Sequence, residues 1–133
     1  MRALCSGVVL LLSATAAQAA PFDGTTAMNC KIETVMICSD PSACTRGTAA
    51  TALLPPVLKV DVPGRLLSGD KAGRTVKIVS VGHGPGRLVL HGEEIELSGT
   101  AWNMVVDQKS GAMSGAVLPY NGGFLVFGSC SER

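Results

Sequence analysis

Between residues 102 and 130, apolar and polar positions alternate in three short runs separated by turn residues, the pattern of a β-meander. In the first run Trp102, Met104 and Val106 share one face while Asn103 and Asp107 share the other, the period-2 signature of a half-buried strand. Gln108-Lys109-Ser110-Gly111 turns the chain into a second run. Its small residues Ala112, Ser114, Gly115 and Ala116 leave room for the indole and thioether of a neighbouring strand. Pro119-Tyr120-Asn121-Gly122-Gly123 turns it again, and the third run sets Phe124, Val126, Gly128 and Cys130 on one face.

The alternation recurs upstream. Met28, Cys30 and Ile32 share a face within 27–34, and Leu58, Val60 and Val62 share one within 57–62. Residues 74–81 are rich in β-branched side chains. Residues 87–91 and 94–97 predict a hairpin bending near Gly92, with Leu88 and Leu90 facing Ile95 and Leu97 and with Glu94 and Glu96 outward. Gly82-His83-Gly84-Pro85-Gly86 reads as a turn, 68–73 as a polar loop and 20–26 as a loose leader. In 45–54, helix-favouring alanines compete with β-forming threonines, so no single element is predicted there. Seven or eight short strands without a repeat, heptad or long amphipathic helix predict an all-β fold, a small antiparallel β-barrel or sandwich.

Export changes the picture. Met1-Arg2, the apolar residues 8–12 and Ala17-Gln18-Ala19 have the layout of a cleaved signal peptide over 1–19, leaving 20–133 as one domain. Cys5 precedes the apolar stretch, which argues against a lipoprotein anchor. The expected location is therefore the periplasm or the cell exterior. Losing Arg2 from eleven Lys plus Arg leaves ten, against ten Asp plus Glu, so no basic face is expected for nucleic acid. No stretch of the remaining chain is apolar for long enough to span a membrane as a helix, and the few aromatic residues argue against a transmembrane barrel.

Four cysteines remain after the leader, an even set in an exported chain, which predicts two disulfides. Three pairings are open to them, and face parity selects among these. Cys30 and Cys130 both point inward on the first and last strands, so their bridge would favour a closed sheet, leaving Cys38 with Cys44 around a turn that starts Asp40-Pro41. The spacings lack the short C-x₂₋₄-C pairs of a zinc site. Neither a metal nor another cofactor is expected.

Other candidate chemistry reads as ordinary structure. Gly82 to Gly86 lacks the Lys and Ser/Thr of a phosphate loop. His83 and His91 lie roughly 26 Å apart along an extended strand, too far to share a metal there, and read as surface residues. Gly111-Ala112-Met113-Ser114-Gly115 is not a nucleophile elbow, and Glu93, Glu94 and Glu96 read as a solvated strand face. If the barrel encloses a cavity, the small second strand opposite Trp102 and Met104 is the best place for a ligand.

The layout of Cys30, Cys38, Cys44 and the closing Phe127-Gly128-Ser129-Cys130, with a strand over 102–107, resembles small exported four-cysteine β-proteins of Gram-negative bacteria that have no established activity. Ser114-Gly115-Ala116 is also similar to the start of the Ser-Gly-x-x-Tyr motif of periplasmic C-type lysozyme inhibitors. Here Tyr120 stands later than that motif requires, and no Lys-Gly follows. The reading ranked first is a non-enzymatic domain that binds a periplasmic or cell-envelope protein through its loops. The alternatives are a carrier of a small apolar ligand and a lysozyme-inhibitor-like protein. Trp102, Met104, Ser114 and Tyr120 are the candidate ligand or partner contacts, and no catalytic residue is assigned.

Overall fold

A computed structural model describes residues 20–69, 75–94 and 99–133. Segment 1–19, expected to be a signal peptide, most of the polar loop and the predicted strand residues Ile95, Glu96 and Leu97 lie outside the described residues.

Among the described residues there are nine strands: β1 (Met28–Asp40), β2 (Ala43–Gly47), β3 (Val57–Asp61), β4 (Leu66–Gly69), β5 (Thr75–Gly84), β6 (Arg87–Glu94), β7 (Thr100–Asp107), β8 (Ala112–Leu118) and β9 (Gly123–Glu132). All pairings are antiparallel. Eight strands, β1 and β3 to β9, close into a barrel, because β1 pairs with β3 along one edge and with β9 along the other. β2 stands outside that ring, folded back on the distal half of β1.

Inward positions follow the alternation. Trp102, Met104 and Val106 face the interior from β7, and Phe124, Val126 and Cys130 from β9; Met104, Val106, Val126 and Cys130 are buried. Leu88, Leu90, Val35, Val60, Val106 and Cys30 are fully buried. β1 runs past the predicted 27–34 because a bulge between Ile32 and Thr34 lets it bend. The bulge shifts its inward set from Met28, Cys30 and Ile32 to Val35. Gly128 sits opposite Ile32 at that point, where a Cβ would lie 1.9 Å from the Lys31 carbonyl oxygen. Only glycine admits this approach.

Both expected disulfides are present. Cys30 and Cys130 are directly paired across β1 and β9, with Cα atoms 3.9 Å apart. Cys38 and Cys44 span the β1–β2 hairpin at 4.2 Å. Its turn is capped by Asp40 Oδ1, which accepts the Ser42 N–H at 2.7 Å and the Ser42 hydroxyl.

Two local expectations are corrected and one open segment is resolved. Gly92 is no bend: β6 runs through it, and the strand that follows and pairs with it is β7, with Gly92 opposite Trp102. The missing side chain receives the indole, since a Cβ at Gly92 would sit 2.2 Å from Trp102 Cζ2. The glycine stretch at 82–86 is mostly strand, with β5 extending to Gly84 and only Pro85-Gly86 turning the chain. Residues 45–54 divide into β2 and a compact turn that buries Ala49 and Ala52.

Candidate functional site

The N-terminal segment packs across one end of the barrel. Phe22 donates its N–H to the Gln108 carbonyl at 3.2 Å and packs against the core. Gly24, at φ 86, lies under Leu88 and Val62. His83 Nε2 is 2.9 Å from the Asp23 carbonyl oxygen. What looked like a loose leader is therefore a plug, and His83 helps hold it. Two carboxylates fix the loops here. Asp107 Oδ1 accepts the Ser110 N–H at 2.7 Å, the Ser110 hydroxyl at 2.9 Å and the Lys109 N–H at 3.0 Å. Asp23 accepts the Thr25 hydroxyl and N–H. These hydrogen bonds hold both carboxyls below the usual aspartate range, Ser110 being the main cause for Asp107 and Thr25 for Asp23.

The other end contains a cavity of about 710 Å³ with an overwhelmingly apolar wall. That volume lies within the range of small-molecule sites. Leu58, Trp102, Met104, Val117 and Phe124 line it from the strands. The turn after β2 forms its border. There Ala52 donates to Thr48, Leu53 to Ala50 at 3.1 Å and Leu54 to Ala49 at 2.8 Å. The last two bonds are a Schellman motif, whose left-handed position is usually glycine. Here it is Leu53, at φ 56 and 93% exposed, and it also borders the cavity. A leucine in that conformation costs roughly 1 kcal/mol in backbone energy, and its exposure recovers nothing from burial.

The structure divides the four candidate contacts. Trp102 and Met104 line the cavity, as does Gly115, paired with Met104 across β7 and β8. Ser114 does not, because alternation on β8 turns Met113, Gly115 and Val117 inward and leaves Ser114 exposed. Tyr120 is 92% exposed in the β8–β9 connection. The reading of Glu94 as outward is overturned. With β6 unbroken at Gly92, the parity of Leu88 and Leu90 carries Glu94 to the inner side, and it lines the cavity next to its ladder partner Thr100. Following period 2 straight through Gly92 would have found it. Leu53 carried no sequence signal, because its position depends on the turn conformation.

All four described cysteines are in disulfides, and the described residues hold no group of three or more His, Cys, Asp or Glu that could bind a metal. Outside the barrel, Leu118, Leu125 and Phe127 are exposed on β8 and β9. No protein-family model, no curated protein and no solved structure matches this chain.

Proposed function

We propose that this domain binds a small, mainly apolar molecule inside one end of its barrel, and does so without catalysis. The observation that carries the reading is the cavity of about 710 Å³ walled by Leu58, Trp102, Met104, Val117 and Phe124. Eight strands give a barrel just wide enough to hold one small ligand, and an apolar chamber with few polar groups is how such ligands are held. The exported, disulfide-linked chain expected from the sequence suits a carrier in the periplasm or outside the cell. This reading moves ahead of binding a cell-envelope protein through the loops. The protein-binding alternative keeps one specific support, the exposed Leu118, Leu125 and Phe127 on the outer face of β8 and β9.

The test uses Trp102, the sole tryptophan of the chain, as the reporter. Titration with the neutral apolar dye N-phenylnaphthylamine should quench its emission to saturation at one dye per chain. Non-saturating quenching, equal in a Val117→Phe variant whose cavity is narrowed, would remove the carrier reading.

A further inference from the structure

We propose that the Cys38–Cys44 bridge is a thiol–disulfide exchange site whose reduction loosens the border of the cavity while the barrel stays closed. The two bridges differ in access. Cys30 is 0% and Cys130 7% exposed, inside the barrel. Cys44 is exposed on β2, a strand paired only with β1 among the described residues. An accessible disulfide is the one that exchanges.

What the short bridge holds is specific. β2 leads directly into the turn that supplies Ala52, Leu53 and Leu54 to the cavity border, followed by Pro55 and Pro56. Residues 43–56 thus form a strap over that end of the barrel. One end of the strap is fixed by the Cys38–Cys44 bond and the short β1–β2 ladder. The other is fixed by the Ile32 N–H donating to the Pro56 carbonyl at 2.9 Å. Between them lie the buried methyl groups of Ala49 and Ala52 and the half-buried Leu54, a modest hydrophobic hold. The ring itself closes through β1–β9 and β1–β3 and does not use β2. Opening the short bridge therefore removes the strap's covalent anchor and leaves the β1–β2 ladder and the Pro56 bond to hold its ends, without opening the barrel.

The reductant is a dithiol. Its thiolate attacks the Cys44 sulfur and expels Cys38 as a thiolate. Its second thiol then attacks the mixed disulfide and releases Cys44. The two protons of the dithiol end on Cys38 and Cys44, and the reductant leaves as a disulfide. The consequence for ligand release rests on the carrier reading; the exchange site does not.

The experiment treats oxidised protein with graded dithiothreitol, quenches by alkylation and maps the cysteines by mass spectrometry. Hydrogen exchange and N-phenylnaphthylamine binding are followed in parallel. Cys38 and Cys44 should become alkylated at least tenfold faster than Cys30 and Cys130. Amide exchange across 48–54 should rise at least tenfold while β6 to β8 keep their protection, and dye affinity should fall at least threefold. A Cys38→Ser/Cys44→Ser variant should show the same exchange pattern without reductant. Simultaneous reduction of both bridges, or unchanged exchange across 48–54, overturns the proposal. Oxidised protein that binds no dye overturns the carrier reading instead, while alkylation and exchange still decide the site.

Discussion

The two ends of this barrel are built on opposite principles. At one end Phe22, Gly24 and the Asp23–His83 contact fill the space between the turns, with Asp107 and Asp23 capping their loops. At the other, the wall continues in Leu58, Trp102, Val117 and Phe124 but lines a cavity of about 710 Å³ that opens to solvent, bordered by a leucine held at φ 56. A barrel of eight strands can fill its interior with side chains or keep room for a ligand, and this chain does one at each end. Space left beside an otherwise close-packed core forfeits dispersion contacts, so the cavity end is the less stabilising of the two.

Each end has its own disulfide, and the largest expected effect separates them. Cys130→Ser removes a bridge that joins the first and last strands across a sequence separation of 100 residues. Loop-closure entropy assigns it about 4.7 kcal/mol, so thermal unfolding should shift down sharply. Cys38→Ser opens a separation of six residues, worth about 2 kcal/mol or a little more. Equal thermal midpoints for the two variants would break the distinction between a bridge that closes the barrel and one that holds its strap.

Adding bulk should have opposite signs at the two ends. Gly24→Ala introduces a Cβ at φ 86, 3.1 Å from Leu88 Cδ1 and 3.2 Å from Val62 Cγ1. It should cost about 2 kcal/mol in denaturant unfolding and leave dye binding intact. Val117→Phe grows into the cavity and should stabilise by about 1 kcal/mol while weakening dye binding about tenfold. If both variants destabilise alike, the cavity is not the space described here. Leu53→Gly sharpens the comparison, since glycine relieves the left-handed backbone. The variant should gain about 1 kcal/mol in unfolding free energy yet bind the dye more weakly.

The smallest effect concerns acid. Hydrogen bonds from Ser110 and Lys109 hold the Asp107 carboxyl below its ordinary value. A folded-state value lower than the unfolded one gives stability that is present above the unfolded value, near 3.9, and is lost as pH falls through the folded one. Asp107→Asn keeps an acceptor but removes the charge. It should lower the midpoint at neutral pH by about a degree or two and flatten its decline below about pH 4.

Period 2 reads most of the barrel strands and, because Cys30 and Cys130 keep the parity of Met28 and Val126, the long disulfide, which leaves Cys38 with Cys44; it does not reach β4, whose Ser68 and Gly69 have the composition of a loop. It failed where an interior demand replaced a local one. Gly92 has the composition of a bend, yet its missing side chain accommodates the Trp102 indole across the ladder. Breaking the strand there also misplaced Glu94. Ser114 was selected for its size, whereas the face it occupies is set by alternation from Met113. The leader 20–26 has no periodicity, and only the turns it meets make it a plug. Leu53 was invisible because nothing in its neighbours specifies φ 56 before Ala49 and Ala50 accept their hydrogen bonds.

The most direct test of a barrel filled at one end and receptive at the other is a Trp102 fluorescence titration with N-phenylnaphthylamine, run on the oxidised protein, Gly24→Ala and Val117→Phe. Saturable quenching at one dye per chain in the first two, with about tenfold weaker binding in Val117→Phe, is the predicted result. Absence of saturation in the oxidised protein, or identical curves for all three, would contradict it.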